Sequence, residues 1–279
     1  MATGTTTRLL AVVGDPVAHS LSPAMHNAAI RALGLDACYV ALRTTAPAFP
    51  ELVRGMLADG GALNVTAPFK QRAAQLVAQP TDAVRRTGAC NTIWGDPDAP
   101  HGDNTDITGI RTAALALLDA LVPRLAIIVG AGATARSAAV ALAQEWPEAD
   151  LRVVSRARER SEAFATWAKE AGLRCAPWAS SDCRTVDLLI STTPVLPTGS
   201  NEEPEPDPER DPRPVQAMLD LAYARGETPA VRAFRQLGAR AADGRGVLVA
   251  QGAAAFERFF GVEPPVDVMR ATVDDALRP

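Results

Sequence analysis

Along these 279 residues, short apolar runs alternate with stretches whose apolar positions recur every three to four residues. That alternation predicts strands interleaved with helices, an α/β protein. Residues 8–13 (RLLAVV) read as a first strand, and Gly14-Asp15-Pro16 turns the chain. A helix over 24–33 follows, with Ser22 as its N-cap, Pro23 at its first position and Gly34 behind its last turn. Residues 37–42 make a second strand, and 50–59 a helix stopped by Gly60-Gly61. A third strand, 62–66, runs directly into Ala67-Pro68-Phe69-Lys70. After a helix over 71–78, residues 88–94 (GACNTIW) hold a short strand, and a Pro/Asp turn covers 96–100. Gly102-Asp103-Asn104-Thr105-Asp106 then opens a helix. Its Ile110, Ala113, Ala114, Leu117, Leu118 and Leu121 fall at 3.6-residue spacing, so one face is buried.

The second half is organised around residues 125–135, LAIIVGAGATA. Five apolar residues between Pro123 and a glycine turn read as a strand buried on both faces. Gly130 permits a tight turn, Gly132 lets a pyrophosphate approach the backbone, and Ala135 keeps the next helix, 134–144, close to the sheet. The backbone of Gly130, Ala131, Gly132, Ala133, Thr134 and Ala135 would then face the phosphates, aided by the helix dipole. A G-x-G turn alone also serves flavin and S-adenosylmethionine proteins, or carries no ligand. Residues 151–154 add the second strand of a strand-helix-strand unit. Where an NAD site would place an acid, the chain has Ser155-Arg156-Ala157-Arg158-Glu159-Arg160. Guanidinium groups there suit the 2′-phosphate of NADP. Beyond it come a helix at 161–171, strands at 186–191 and 217–221, a helix at 229–237 and a strand at 239–242. Residues 196–214, rich in Pro and acid, read as a mobile surface loop. The chain is helical again from 247, and a last helix carries Val266, Met269, Val273 and Leu277.

Composition adds exclusions more than assignments. A net charge of −4 gives no reason to expect nucleic acid or membrane as a partner. The N-terminal apolar run, 9–13, is too short for a signal core or a membrane span. Cys38, Cys90, Cys175 and Cys183 lack zinc-type spacing, which fits reduced thiols in a cytoplasmic protein without a metal. The basic residues are more informative. Of 28 Lys and Arg, only Lys70 and Lys169 are lysines. An ammonium can give up its proton where a guanidinium cannot, so a lysine kept just after a buried strand is a candidate for chemistry. Asp106 reads as a first-turn carboxylate favoured by the helix dipole, or, with Lys70, as half of an acid–base pair.

Nine stretches together resemble the shikimate dehydrogenase family over essentially the whole chain. They are HSLSP (19–23), NVTAPFK (64–70), GACNT (88–92), GDNTD (102–106), GAGATA (130–135), SR (155–156), STTP (191–194), DLAY (220–223) and GRGVLVAQGAAAF (244–256). Three positions depart from the family pattern. Ile107 stands where glycine is usual, Val247 where methionine is common, and Ser155 where asparagine usually precedes the arginine.

The resemblance implies NADPH-dependent, reversible reduction of 3-dehydroshikimate to shikimate in the chorismate route to aromatic amino acids. It implies Lys70 and Asp106 as the catalytic pair, with Ser20 and Ser22 on the substrate carboxylate, aided by Tyr223. Thr66, Asn91 and Gln251 would bind ring hydroxyls, and Gln251, as a buried amide, would need such partners. Ser155, Arg156, Arg160, Thr192, Gly244 and Val247 would join the glycine turn around NADP. The implied architecture is an N-terminal α/β substrate domain, residues 1–108, completed by returning C-terminal helices, 246–279. A Rossmann-type NADP-binding domain, 109–245, lies between them in sequence, and the active site would occupy the cleft between domains. A monomer or homodimer is expected. The competing readings are a quinate/shikimate enzyme using NAD and a non-catalytic shikimate-binding regulator. The arginines after Val154 oppose the first, and the presence of both Lys70 and Asp106 opposes the second.

Overall fold

The computed structural model describes residues 4, 6–179, 184–193 and 214–279. The chain divides into two compact units, Met1–Gly109 with Leu248–Ala276, and Ile110–Val247 with Leu277–Pro279.

The first unit begins with β1 (Arg8–Gly14), α1 (Ser22–Ala32), β2 (Ala37–Arg43), α2 (Phe49–Ala58) and β3 (Ala62–Val65). It continues with α3 (Lys70–Leu76), β4 (Gln79–Pro80), α4 (Asp82–Thr87), β5 (Thr92–Trp94), β6 (His101–Asp103) and the start of α5 (Asp106–Leu118). The six strands form one sheet in the order β2-β1-β3-β5-β6-β4. The β1 strand runs parallel to β2 and β3, whereas β5 pairs antiparallel with both β3 and β6. Apolar side chains of α2 (Phe49, Val53, Met56, Leu57) close over Ala11, Val13, Leu63 and Val65. Phe49 and Phe69 stack at 4.9 Å, which ties α2 to the segment that delivers Lys70.

Ser22 is not the N-cap of α1. Leu21 takes that position, and Ser22 is the first helical residue. Proline is tolerated in the first turn, where its missing N–H is no loss, so the chain enters the helix one residue earlier than the Ser-Pro pair suggests.

The second unit has β7 (Leu125–Val129), α6 (Ala133–Glu145), β8 (Asp150–Val154), α7 (Arg158–Glu170), β9 (Cys175–Pro177), β10 (Val186–Ser191), β11 (Val215–Asp220), α8 (Pro229–Gln236) and β12 (Arg240–Ala242). All pairings are parallel, in the order β12-β11-β10-β7-β8-β9. Counted from β7, that is the 3-2-1-4-5-6 order of a Rossmann sheet, with its switch point between β7 and β10. All five residues of β7 are buried, as a strand covered on both faces requires. Ala135, Ala138, Ala139 and Ala141 of α6 are buried too, and these small side chains bring the helix close to β7 and β8.

Two further helices end the chain, α9 (Arg245–Phe260) and α10 (Val266–Ala276). From Leu248 onward they belong to the first unit. There α10 packs on α1, and the Arg8 guanidinium donates to the Phe259 carbonyl. Gly252 lets α9 pass α1, since a Cβ there would lie 2.2 Å from Met25 Cε. No helix among the described residues is long and apolar enough to cross a membrane. Of the loop expected over 196–214, residues 196–213 lie outside the described residues, as do Pro194 and Cys183.

Candidate active site

In the first unit, β3 ends at Val65 and Lys70 opens α3. The β5–β6 hairpin leads to Asp106 at the head of α5. Lys70 Nζ donates to Asp106 Oδ2 at 2.6 Å, and the two side chains are only 13% and 11% exposed. Low exposure strengthens such a charge-assisted bond and holds both groups in one geometry. Asn91 completes the cluster by donating from Nδ2 to Asp106 Oδ1 at 2.8 Å. Its Oδ1 accepts from the Thr105 backbone N–H at 2.8 Å. The Cys90 thiol beside this group is pushed up to about 12, chiefly by burial, so it stays neutral.

The other expected substrate residues of this unit are distributed around its loops. Ser20 and Ser22 are adjacent, the Ser22 N–H donating to Ser20 Oγ at 3.3 Å. The Ser22 hydroxyl makes no cap bond, unlike the role its place before Pro23 suggests. Thr66 follows β3 and donates its backbone N–H to the Val13 carbonyl at 2.9 Å. Gln251 is half-buried, and its amide donates to the Leu248 carbonyl of its own helix at 2.9 Å. The partner that burial demands is therefore already within α9.

In the second unit, Gly130 has φ +107°, and a Cβ there would lie 2.3 Å from Thr192 Oγ1. Both facts require glycine. Thr192 donates its hydroxyl to the Val129 carbonyl at 2.8 Å, which fixes the switch point between β7 and β10. A Cβ on Gly132 would meet nothing within 4 Å, so open space lies over the turn. The N-cap of α6 is Gly132, which brings no side chain of its own to that first turn. That space, with Ala131, Ala133, Thr134 and Ala135 around it, fits a dinucleotide pyrophosphate.

After β8 the Ser155 hydroxyl donates to the Ala157 carbonyl at 2.8 Å and lies 3.0 Å from Ser161 Oγ, so it shapes the turn. Arg156 and Arg160 are exposed on it, while Arg158 pairs with Glu162 at 2.7 Å. Tyr223 sits half-buried in the loop after β11. Gly244 is required by packing, because a Cβ would lie 2.2 Å from the Leu221 carbonyl oxygen. Val247 is buried in α9.

Sequence reading passed over four residues bonded into the Asp106 cluster: Tyr39, Asn64, Thr92 and Thr105. For Tyr39, Asn64 and Thr92 the available signal was a polar group in an otherwise apolar strand, since buried polar groups need partners.

A Rossmann sheet with an arginine turn in place of the ribose-binding acid, in one chain with an α/β unit carrying a Lys–Asp pair of low exposure, defines an NADP-dependent oxidoreductase. Residues 12–93 match the family described as "Shikimate dehydrogenase substrate binding domain", and 244–273 the "Shikimate 5'-dehydrogenase C-terminal domain". The shikimate dehydrogenase (NADP(+)) of a Synechocystis strain is 37% identical, covering 95% of this chain and 94% of its own. That of Methanothrix thermoacetophila is 38% identical, covering 97% and 98%. Among solved structures, a shikimate dehydrogenase in complex with NADP+ superposes with a TM-score of 0.87 at 29% identity, covering 100% of this chain and 98% of the other. The Thermus thermophilus shikimate 5-dehydrogenase in complex with NADP(H) and shikimate gives 0.80 at 32% identity, covering 96% and 99%. The chain belongs to the shikimate dehydrogenase family.

Proposed function

We propose that this protein catalyses the reversible reduction of the 3-keto group of 3-dehydroshikimate to shikimate. The observation that carries this reading is the 2.6 Å Lys70–Asp106 pair, held at low exposure in the substrate unit. When bound, NADPH supplies the hydride. Lys70 donates a hydrogen bond to the reacting oxygen and protonates it as alkoxide character develops. Asp106 holds the ammonium in line, and Asn91 holds Asp106. Ser20, Ser22 and Tyr223 bind the carboxylate, while Thr66, Asn91 and Gln251 meet the ring hydroxyls. The glycine turn and the first N–H groups of α6 hold the pyrophosphate. Arg156 and Arg160 hold the 2′-phosphate. In this reading residues 1–108 with 246–279 bind the substrate and 109–245 the dinucleotide.

A steady-state assay tests it, following NADP+ reduction with shikimate beside quinate, and NAD+ beside NADP+. Shikimate with NADP+ is expected to give the highest kcat/KM. Activity confined to quinate and NAD+, or no activity with any pair, overturns the reading.

A further inference from the structure

Tyr39, in β2, is 1% exposed, and its hydroxyl donates to Asn64 Oδ1 at 2.7 Å. Asn64, in β3, donates from Nδ2 to Thr92 Oγ1 at 3.1 Å and to the Asn91 carbonyl at 3.2 Å. Thr92, in β5, donates to Asn91 Oδ1 at 2.9 Å. Asn91 Nδ2 then donates to Asp106 Oδ1. Four side chains from three strands and the turn before β5 thus form a continuous series ending on the carboxylate.

Two main-chain groups fix the direction of that series. The Asn91 carbonyl can only accept, so the nitrogen of the Asn64 amide faces it, and Asn64 Oδ1 is left to Tyr39. Tyr39 must therefore donate. Thr92 Oγ1 receives the Asn64 N–H, and of its two neighbours the Asn91 oxygen at 2.9 Å is nearer than the Thr105 hydroxyl at 3.3 Å, so its proton goes to Asn91. The Thr105 N–H can only donate, so Asn91 Oδ1 faces it and Asn91 Nδ2 faces Asp106. Every proton points toward the carboxylate, and bonds aligned this way polarise and strengthen one another. Burial pushes the Tyr39 hydroxyl well above its ordinary value, so it stays protonated as the first donor. The other titratable groups facing this cluster are His26 of α1, stacked on Tyr39 at 4.3 Å and kept neutral by burial, Lys70 on α3, Asp103 in β6 and the neutral Cys90 thiol.

We propose that Tyr39 is a positioning residue for the reaction, acting on Asp106 through the one-way series Tyr39, Asn64, Thr92 and Asn91. The proposal rests on the reading of Lys70 and Asp106 as the acid–base pair. Without the tyrosine proton, the Asn64 oxygen is left unsatisfied, and its amide gains a reason to turn and compete for the Thr92 proton. Asn91 Oδ1 then keeps only the Thr105 N–H at 2.8 Å and the Thr105 hydroxyl at 3.2 Å, which loosens the amide that holds the Asp106 carboxylate toward Lys70.

The test is a double-mutant cycle on the full-length enzyme, read by kcat. Tyr39→Phe keeps the ring, and Thr92→Val removes the hydroxyl at nearly constant volume. Each is expected to lower kcat about 3- to 10-fold, the kinetic scale of one neutral hydrogen bond, with a smaller change in KM. Thr92→Ser should restore kcat. The double variant should be no slower than Thr92→Val alone, because the series is already cut. Additive losses, an unchanged kcat in both single variants, or a change confined to KM overturn the proposal. If Tyr39→Phe does not fold, the Thr92→Val and Thr92→Ser pair decides, and equal kcat in those two overturns it. Lys70→Ala, assayed alongside, separates the two readings. Wild-type kcat there removes the acid–base pair and this proposal with it. A crippled Lys70→Ala beside unaffected relay variants removes the proposal alone.

Discussion

Lys70 Nζ and Asp106 Oδ2 lie 2.6 Å apart, and each residue is the first of its helix, α3 and α5. A carboxylate gains from the positive end of a helix, whereas an ammonium there is opposed by it. Lys70 therefore stands where its own helix disfavours it, and the Asp106 carboxylate offsets that cost. A lysine placed against local preference, in a chain that otherwise favours arginine, is explained by chemistry better than by folding.

Lys70→Ala should lower kcat by about 10²–10⁴-fold, the usual range for a positioned acid–base group. KM should change far less, because the interaction develops with charge on the reacting oxygen. Steady-state kinetics with shikimate and NADP+ check both values. A rise in KM at constant kcat would make Lys70 a binding residue only.

Cofactor choice should rest on Arg156, the first guanidinium after β8, where a ribose-binding acid would otherwise stand. Arg156→Ala should weaken NADP+ by about 1.5–3 kcal/mol, the scale of a hydrogen bond to a charged group, and leave NAD+ nearly unchanged. Calorimetric titration with each dinucleotide measures this. Equal losses for both would place the selecting group elsewhere.

Ser22 has a hydroxyl that caps nothing and lies next to Ser20. Two small hydroxyls reject the extra hydroxyl of quinate only weakly, so discrimination should come from the flat shikimate ring letting its carboxylate reach both serines. At least a tenfold preference in kcat/KM for shikimate is expected, about 1.4 kcal/mol. Ser22→Ala should act mainly through KM, because the carboxylate is remote from the hydride. Equal efficiencies with the two acids would sink the shikimate-specific assignment and leave the enzyme class standing.

Stability should fall in mild acid through His26. This fully buried ring stacks on Tyr39 at 4.3 Å, and neither of its nitrogens has a hydrogen-bond partner among the described residues. Burial lowers its pKa to about 3. Between there and the ordinary value near 6.5, the unfolded chain binds a proton that the folded one refuses. The contribution is complete above that ordinary value and declines by about 1.4 kcal/mol per pH unit toward the folded one. His26→Leu should flatten that decline, which urea titrations at pH values on both sides of about 5 would reveal. Parallel slopes in both proteins would refute it.

The β7–α6–β8 unit could be read from the sequence almost to the residue. Its first strand is an unbroken apolar run between Pro123 and Gly130, and the glycine turn marks where the helix starts. The shorter pieces could not be read. The β4, β6 and β9 strands and the α4 helix span two to six residues, too few to show a period. Lys70, Asn91 and Asp106 stood out by residue type and motif, and the structure joins them. Tyr39 did not, because it looks like an ordinary strand residue, and Asn64 and Thr92, though inside the NVTAPFK and GACNT stretches, carried no sign of a role. Their bonds span 25 and 28 positions in sequence and exist only once β1, β2, β3 and β5 are in register. The Ser155 hydroxyl and Gly244 teach the opposite lesson. Both lie in recognisable motifs, yet in the structure the hydroxyl bonds within its own turn and the glycine makes room for the Leu221 carbonyl.

The joining of α10 to α1 sets the order in which this protein can be finished on the ribosome. The face of α1 carrying Met25 leaves the exit tunnel early, but the helices that cover it are encoded only after 110–247. At about 5–20 residues per second, the whole of 110–247 takes roughly 7–28 s to appear in between. For that interval the half that holds Lys70 and Asp106 is an open nascent chain with an uncovered apolar helix. That is the period in which a chaperone, or a misfolded neighbour, would find it.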